Sequence, residues 1–365
     1  MCCIKFSDKK DIFMNNRISW IDATKALAII AVMLSHSCGF PGSTGRYFTA
    51  CLIPVFFLTA GYVVKDIQMG EGIIKKGKTL LIPYFVYSLL LLIMTSAVKV
   101  MMGSFTIDFL KTAVIGVFYS SYSFLPRAYI EETATLFVVN NAPMWFVTCL
   151  FVSFCIFYIL KDCRMNKGIA VGLLIVVAYF IQLLPIRLPW SADAAVLGAV
   201  FLFVGNQIRC ANVKLEYSFG NIRFVLVILI SLIMYVGLCN LNPNIAMSVR
   251  EYGDCKYFNI PLLVVIGCLG TFLYIILAKL LCKIPLIEKL LCYIGRRTLV
   301  ILAFHVFVFQ VVRELASRTV GLHEDSPLKV VIGILEIVIA VIVCCPVYDW
   351  IKKSIIHVSK GFQKS

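Results

Sequence analysis

The sequence predicts an all-α integral membrane protein, a bundle of about ten transmembrane helices with both termini in the cytoplasm. Three observations support this fold class. Of the 365 residues, 61% are hydrophobic and only 15% are charged, which is not the balance of a soluble domain. Apolar stretches long enough to cross a bilayer recur along the whole chain. Lys and Arg are concentrated in alternate connecting segments, as the positive-inside rule requires.

The predicted membrane domain covers residues 18–350, with a basic cytoplasmic tail before it at residues 1–17 and a cytoplasmic tail after it at residues 351–365. Its longest connection, residues 103–142, is predicted to lie outside. No polar segment is long enough to bury a core of its own, so no soluble domain is expected. The ten spans are predicted at about residues 18–38, 47–64, 79–102, 143–160, 167–185, 191–208, 222–240, 260–282, 298–315 and 328–350.

Charge predicts the orientation. With a cytoplasmic N-terminus, the cytoplasmic segments hold 23 Lys and Arg residues and the external segments hold 9, which places both termini inside. The same asymmetry explains the net charge of +15, so no nucleic-acid partner is expected. The 15 cysteines lie mostly within apolar spans, where cysteine behaves as a small hydrophobe. Because no metal-ligand spacing accompanies them, no metal is expected.

The first predicted span carries three ionisable residues, Asp22, Lys25 and His36, in the stretch DATKALAIIAVMLSH. Eleven residues separate Lys25 from His36, which is about three helical turns plus 20° and a rise of about 16 Å. All three residues therefore share one face, here called the polar stripe. Ionisable groups at membrane depth cost several kcal/mol unless they line protein or a water-filled cavity, so the polar stripe is interpreted as one wall of a path. The predicted topology puts Lys25 near the cytoplasmic face and His36 near the outer face.

His36 is the candidate general base, because imidazole titrates near neutrality and can take a proton from a hydroxyl that attacks an acyl carbonyl. A single histidine on a helix is more often structural, and the argument depends on the other two residues of the polar stripe, with Asp22 assigned to the catalytic group. Lys25 can bind phosphate as a point charge. It can equally snorkel to the headgroups or pair with Asp22 one turn away, and these alternatives stay open.

A second cluster of positive charge precedes the third predicted span. Lys75, Lys76 and Lys78 lie on the same side of the membrane as Lys25 and would favour a polyanionic cofactor such as coenzyme A. A basic run of this kind is also ordinary in a positive-inside loop.

Four further residues are candidates for substrate binding. Asn141 and Trp145 flank the predicted outer mouth of the fourth span, whereas His305 and Glu336 lie within the ninth and tenth spans. Polar and ionisable residues inside a membrane are functional candidates by default. For His305 and Glu336, the alternative is mutual or backbone hydrogen bonding that orders the bundle.

Five motifs in order along the chain carry a family resemblance: RISWIDATKALAIIAVMLSH, LIPVFFLTAGYV, KKGKTLLIPYF, PMWFVTCLF and IGRRTLVILAFH. At these residues the chain resembles the acyltransferase-3 family of membrane acyltransferases, in the branch that is similar to fucose 4-O-acetylases and other surface-glycan acetyltransferases. Each motif alone is weak, but together they span nearly the whole chain. The family's K/R-x10-H spacing falls on Lys25 and His36. Thr59 stands where serine is common, and the basic segment is rich in lysine where arginine is common.

The resemblance implies a multi-pass enzyme of a bacterial plasma membrane. It implies an acyl donor, acetyl-CoA or another acyl-CoA, on the cytoplasmic side and a glycan or lipid-linked sugar acceptor at the outer face. It also implies that Lys25 and His36 belong to the acyl-handling site, with Lys75, Lys76 and Lys78 near the nucleotide end of the donor.

The sequence therefore predicts an O-acyltransferase, and specifically an O-acetyltransferase of a cell-surface polysaccharide. The alternative is a transporter or flippase of a lipid-linked sugar, which the polar stripe would also suit. Transporters commonly contain paired internal repeats, and no obvious repeat is present in this sequence. The identity of the acceptor sugar and the length of the acyl group stay open.

Overall fold

The computed structural model describes residues 17–39, 44–120, 142–163, 165–181, 184, 188–211, 222–241, 259–320 and 328–362. Within these ranges the regular secondary structure is helical and no strand is present, which confirms the all-α prediction. Asn141, one of the predicted substrate-binding residues, lies outside the described residues.

Fourteen α-helices form in the described part of the chain, numbered here in chain order. They are α1 (Ser19–His36), α2 (Gly45–Thr49), α3 (Leu52–Tyr62), α4 (Met69–Lys76), α5 (Ile82–Met101), α6 (Ile107–Tyr119), α7 (Trp145–Asp162), α8 (Lys167–Ile181), α9 (Ala192–Cys210), α10 (Ile222–Leu241), α11 (Ile260–Leu281), α12 (Pro285–Gly295), α13 (Thr298–Val320) and α14 (Leu328–Phe362). Short 3-10 turns (Ala142–Met144 and Pro189–Ser191) precede α7 and α9.

Each of the ten predicted spans overlaps one of these helices, but ten membrane crossings are not confirmed. Seven helices within the described residues are long and apolar enough to cross a bilayer. The other three predicted spans fall on α1, α3 and α8. The ionisable residues of the polar stripe lower the hydropathy of α1, and α3 and α8 have only 11 and 15 residues. The chain is a multi-pass helical membrane protein in which these three helices depend on neighbours for burial.

Several predicted boundaries were wrong because amphipathic helices are weak signals in an apolar sequence. The third span does not begin after a basic loop. Instead, α4 continues through a π-helical turn, Gly77–Leu81, into α5, so the three lysines of that segment lie in helix. Pro83 lacks the N–H that would bond one turn back, and the π turn directly before it absorbs this loss. Two predicted connections contain the helices α6 and α12, and α14 continues to Phe362 through most of the predicted C-terminal tail.

The polar stripe lies on the central helix of the bundle. α1 packs against α3, α11, α12, α13 and α14, and alanines supply much of its buried surface. Small residues let helix backbones approach closely in a membrane. Gly295 at the end of α12 is the closest case, since a Cβ there would overlap the backbone carbonyl oxygen of Asp22. The beginning of the polar stripe is therefore held directly against α12.

Glycines also set the packing of α3 on α9. A Cβ on Gly61 would overlap the carbonyl oxygen of Leu202, and a Cβ on Gly205 would overlap that of Leu58. These two helices therefore touch backbone to backbone, and α3, too short to be an independent span, is held by this contact.

We expect Gly205→Ala to lower the free energy of unfolding by about 1–3 kcal/mol, because the added methyl group overpacks this contact. The matched change Gly237→Ala on α10 has open space around it and should leave stability unchanged or raise it by up to about 1 kcal/mol. Thermal unfolding of both variants in detergent, followed by intrinsic fluorescence, makes the comparison. Equal melting temperatures would contradict the backbone contact between α3 and α9.

Candidate active site

The polar stripe forms as predicted on one continuous helix. α1 runs from Ser19 to His36, so Lys25 and His36 are joined by three turns of unbroken helix with a rise of about 16 Å. Beyond His36, the backbone N–H groups of Ser37 and Gly39 donate to the carbonyls of Met33 and Leu34, which closes the last turn. The site therefore has a Lys25 end and a His36 end, each with its own neighbours.

At the Lys25 end, the carboxylate of Asp22 is buried and paired. It is 8% exposed, and the Nε of Arg296 in the α12–α13 turn lies 3.3 Å from its Oδ2. Lys25 is half-buried, and its charge interacts with those of Asp22 and Arg17. The ion pair explains how a carboxylate can begin an apolar helix, and it leaves Asp22 as a structural partner of Arg296 while its catalytic assignment stays a prediction.

Of the three lysines predicted to bind the nucleotide, the structure brings Lys76 toward the polar stripe. Its Nζ lies 3.7 Å from the centre of the Phe154 ring, and its charge interacts with that of Lys25. Lys75 and Lys78 are exposed. A π-helical turn follows Lys76 directly, and such turns occur frequently at functional sites.

A cavity of about 430 Å³ opens beside the Lys25 end, between the start of α1, the helix α12 and the part of α14 around Asp349. Its lining is rich in cationic side chains, which are accompanied by two acids and two tyrosines. The cationic side chains are those of Arg17, Lys289, Arg296 and Arg297. One of them, Arg297, is held by two 2.7 Å hydrogen bonds to Asp349, and it stacks on Tyr293, with its guanidinium carbon 3.7 Å from the ring centre.

At the His36 end, the structure brings together two histidines that are 269 residues apart in the sequence. The ring centroids of His36 and His305 are 5.4 Å apart, with 47° between the ring planes. His36 is exposed, whereas His305 is fully buried on α13. The predicted base and a predicted substrate-binding residue are thus neighbours, a relation that no local sequence pattern indicates.

A second charged cluster holds the end of α1, and we call it the Arg313 clamp. Its members are Arg313 of α13, Glu336 of α14, Ser37 and the backbone carbonyl of His36. The Nε and Nη2 of Arg313 donate to Glu336 at 2.7 and 3.1 Å, and Nη2 also donates to the His36 carbonyl at 2.7 Å. The hydroxyl of Ser37 donates to Glu336 at 2.7 Å. The carbonyls at a helix C-terminus have no partner within the helix, and here an arginine satisfies one of them.

Sequence reasoning missed Arg313. It falls within the predicted ninth span, and an arginine inside an apolar span is itself a signal, because such residues almost always have a partner. Glu336 is bonded to the side chains of Arg313 and Ser37, partners that the sequence did not indicate, and its substrate-binding role stays a prediction.

Trp145 begins α7 and is 6% exposed. It packs edge-on against Phe146, and the 3-10 turn just before it contacts α13, the helix that carries His305. The fourth predicted span thus starts against the histidine-bearing helix.

These features together define a multi-pass helical membrane protein whose central helix joins a cationic end to a histidine pair. The comparison with known families gives that class its family. Residues 18–349 match the model of the acyltransferase-3 family, described as an acyltransferase domain. Because the match covers most of the chain, the protein belongs to the acyltransferase-3 family of membrane acyltransferases. No curated protein and no solved structure matches the chain significantly.

We expect Arg313→Gln to destabilise the protein by up to about 3–5 kcal/mol, because it leaves the buried carboxylate of Glu336 without a counter-charge. Arg318→Gln on the same helix removes an exposed pair with Glu314 and should cost less than about 0.5 kcal/mol. Thermal unfolding in detergent measures both. Adding Glu336→Gln to Arg313→Gln should recover part of the loss, since no uncompensated charge then remains; a further additive loss would contradict the clamp.

Proposed function

We propose that this chain transfers an acetyl group from cytoplasmic acetyl-CoA to a hydroxyl of a cell-surface polysaccharide or lipid-linked sugar, as an O-acetyltransferase of the bacterial plasma membrane similar to the fucose 4-O-acetylases. The observation that carries the proposal is the polar stripe of α1, with cationic groups at one end and His36 about 16 Å away at the other. Membership of an acyltransferase family supplies the reaction class.

The Lys25 end suits the nucleotide of coenzyme A, which carries several phosphate charges. Lys25 and Lys76 are both partly buried there, and the cavity lined by four cationic side chains opens at the same end of α1. Lysine binds phosphate as a point charge, and arginine binds it through planar paired donors. In coenzyme A the thioester is remote from the phosphates, at the end of the long flexible pantetheine arm. A donor bound at the Lys25 end would therefore extend its acyl group along the stripe toward His36.

His36 supplies the proton transfer. The acceptor hydroxyl gives its proton to the imidazole as its oxygen attacks the thioester carbonyl. A carbon–oxygen bond forms and the carbon–sulfur bond breaks, and the proton then goes to the departing thiolate. The products are an acetyl ester and free coenzyme A.

The decisive experiment measures ester-linked acetyl on isolated surface glycan by NMR, before and after mild alkali. It compares cells that lack the protein with cells restored with wild type or with His36→Ala. We expect wild type to restore the ester and His36→Ala to lose at least about 100-fold, the lower range for a general base. Immunoblotting of membranes checks that both proteins are present at equal levels.

Full restoration by His36→Ala would contradict the proposed base. A deletion that alters the amount of polymer but no ester would instead favour the transporter alternative. Release of free thiol from acetyl-CoA by the purified protein separates an enzyme from a transporter directly.

A second prediction concerns the donor. Lys25→Gln should weaken binding of acetyl-CoA by about 10-fold or more, because a hydrogen bond to a charged group contributes about 1.5–3 kcal/mol. Lys99→Gln is the matched control, since Lys99 lies in the last turn of α5, at the far end from the π-helical turn that follows Lys76, and packs on Phe109. Isothermal titration of acetyl-CoA into each variant gives the two dissociation constants. Equal constants for the two variants would remove Lys25 from the donor site.

A further inference from the structure

We propose that His305 is the positioning partner of His36. Its Nε2 accepts a hydrogen bond from one ring N–H of His36, which leaves the other ring nitrogen of His36 unprotonated and directed away from the bundle. The inference rests on the proposed function, in which His36 takes the proton of the acceptor hydroxyl, and it deepens that function by stating what prepares His36 to do so.

The backbone of α13 sets the tautomer of His305. Its Nδ1 lies 2.9 Å from the carbonyl oxygen of Ile301 and 3.0 Å from that of Leu302. Carbonyl oxygens only accept hydrogen bonds, so Nδ1 carries the proton. In the neutral ring, Nε2 is then an acceptor with a lone pair.

The lone pair on Nε2 of His305 needs a hydrogen-bond donor. Nε2 of His305 is buried and has no hydrogen-bond partner among the residues that the structure describes. A buried polar atom left without a partner costs about 1–3 kcal/mol. Two rings contact the ring of His305. The centroid of Phe309 lies 5.5 Å from that of His305, and the centroid of His36 lies 5.4 Å from it. The histidine is the member of this pair that can donate.

The spacing of the rings fits such a bond. A ring nitrogen lies roughly 1.2 Å from the imidazole centroid, so an N–H···N bond of about 3 Å places two centroids about 5.2–5.4 Å apart. The observed distance is 5.4 Å. The 47° between the ring planes is compatible with the bond, because rotation about the N···N line tilts the rings without lengthening it. His36 is exposed, and a turn of its ring about the Cβ–Cγ bond brings a ring N–H onto Nε2 while the ring centroid stays nearly in place.

A neutral partner suits this position. The nearby carboxylate of Glu336 is already bonded to Arg313 and Ser37. Another carboxylate at membrane depth, without a partner, would cost several kcal/mol. A buried imidazole accepts the N–H of His36 without bringing a net charge. When His36 becomes imidazolium during transfer, the same N–H···N bond becomes charge-assisted and stronger. His305 keeps its own proton throughout, so the overall reaction is unchanged.

Three variants of His305 test the role. His305→Gln keeps an acceptor oxygen near the place of Nε2, His305→Asn keeps a donor near the place of Nδ1 but no acceptor near Nε2, and His305→Phe keeps only the volume. We expect Asn and Phe to lower kcat for acetyl transfer by about 10–100-fold, the loss usual for orienting partners, with KM for acetyl-CoA unchanged. Gln should recover most of the wild-type kcat. Membrane vesicles from cells lacking the protein provide the acceptor, with purified protein added back and free thiol measured.

Phe309→Leu is the packing control. It loosens the other side of the His305 ring and removes no hydrogen bond, so it should lower the melting temperature while kcat falls much less than in His305→Asn. A Gln variant as inactive as Phe at equal stability, or a Phe309→Leu variant as inactive as Asn, would overturn the proposal.

A spectroscopic measurement reports on the pair without turnover. The chain has only four histidines, so the imidazole ¹⁵N spectrum of labelled protein contains few signals, and His36→Gln identifies those of His36. We expect one tautomer of His36 in wild type and in His305→Gln, and a mixture of tautomers in His305→Asn. Unchanged His36 signals in His305→Asn would overturn the pairing. If wild type released no thiol from acetyl-CoA, the proposed function would fail, and the tautomer of His36 would still decide this inference.

Discussion

The structure around the site depends on one ion pair, Arg313 with Glu336. A carboxylate that is 2% exposed among apolar helices requires a counter-charge, and the guanidinium that supplies it has donors to spare. Arg313 uses them on the backbone carbonyls of His36 and Ser37, which lack partners within α1. The need to compensate a charge on α14 therefore fixes the end of α1 and, with it, the backbone of His36. A charged pair is costly in an apolar setting, but it is directional, and apolar packing alone would leave the end of this helix free to slide.

A second arginine–carboxylate pair joins α13 and α14 on the Lys25 side of the site. Arg297, just before α13 begins, binds both oxygens of Asp349 on α14, so two arginine–carboxylate pairs join this segment to α14. Arg296 next to it reaches back to Asp22. As a result the segment from Arg296 through α13 contacts α1 at two places, at the Lys25 end through Arg296 and at the His36 end through Arg313. These two contacts hold α13 against α1, and with it His305 against His36.

The sequence predicted the elements whose signals are local, and it missed the ones that depend on distant partners. Helical spacing within 15 residues was enough to place Asp22, Lys25 and His36 on one helix face, and the apolar runs located a helix in every predicted span. Hydropathy could not separate a true span from α3, whose burial comes from glycine contacts with α9, nor could it find α12, an amphipathic helix that lies against Asp22. The contacts of His36 with His305 and of Ser37 with Glu336 join residues 269 and 299 positions apart. Such contacts are set by the arrangement of whole helices, which periodicity within one segment does not predict.

The proposed chemistry requires two unlike environments, and α1 explains how one helix can provide both. A polyanionic donor needs positive charge, whereas a general base must stay neutral until it takes a proton, and nearby cations would oppose that protonation. Charges interact with an energy that falls with distance, so the rise of about 16 Å between Lys25 and His36 separates the two requirements. Arg313, a cation that reaches the His36 carbonyl, is paired with Glu336, and the partner proposed for the His36 ring is a neutral histidine. The backbone position of the base is thus set by an ion pair whose charges cancel.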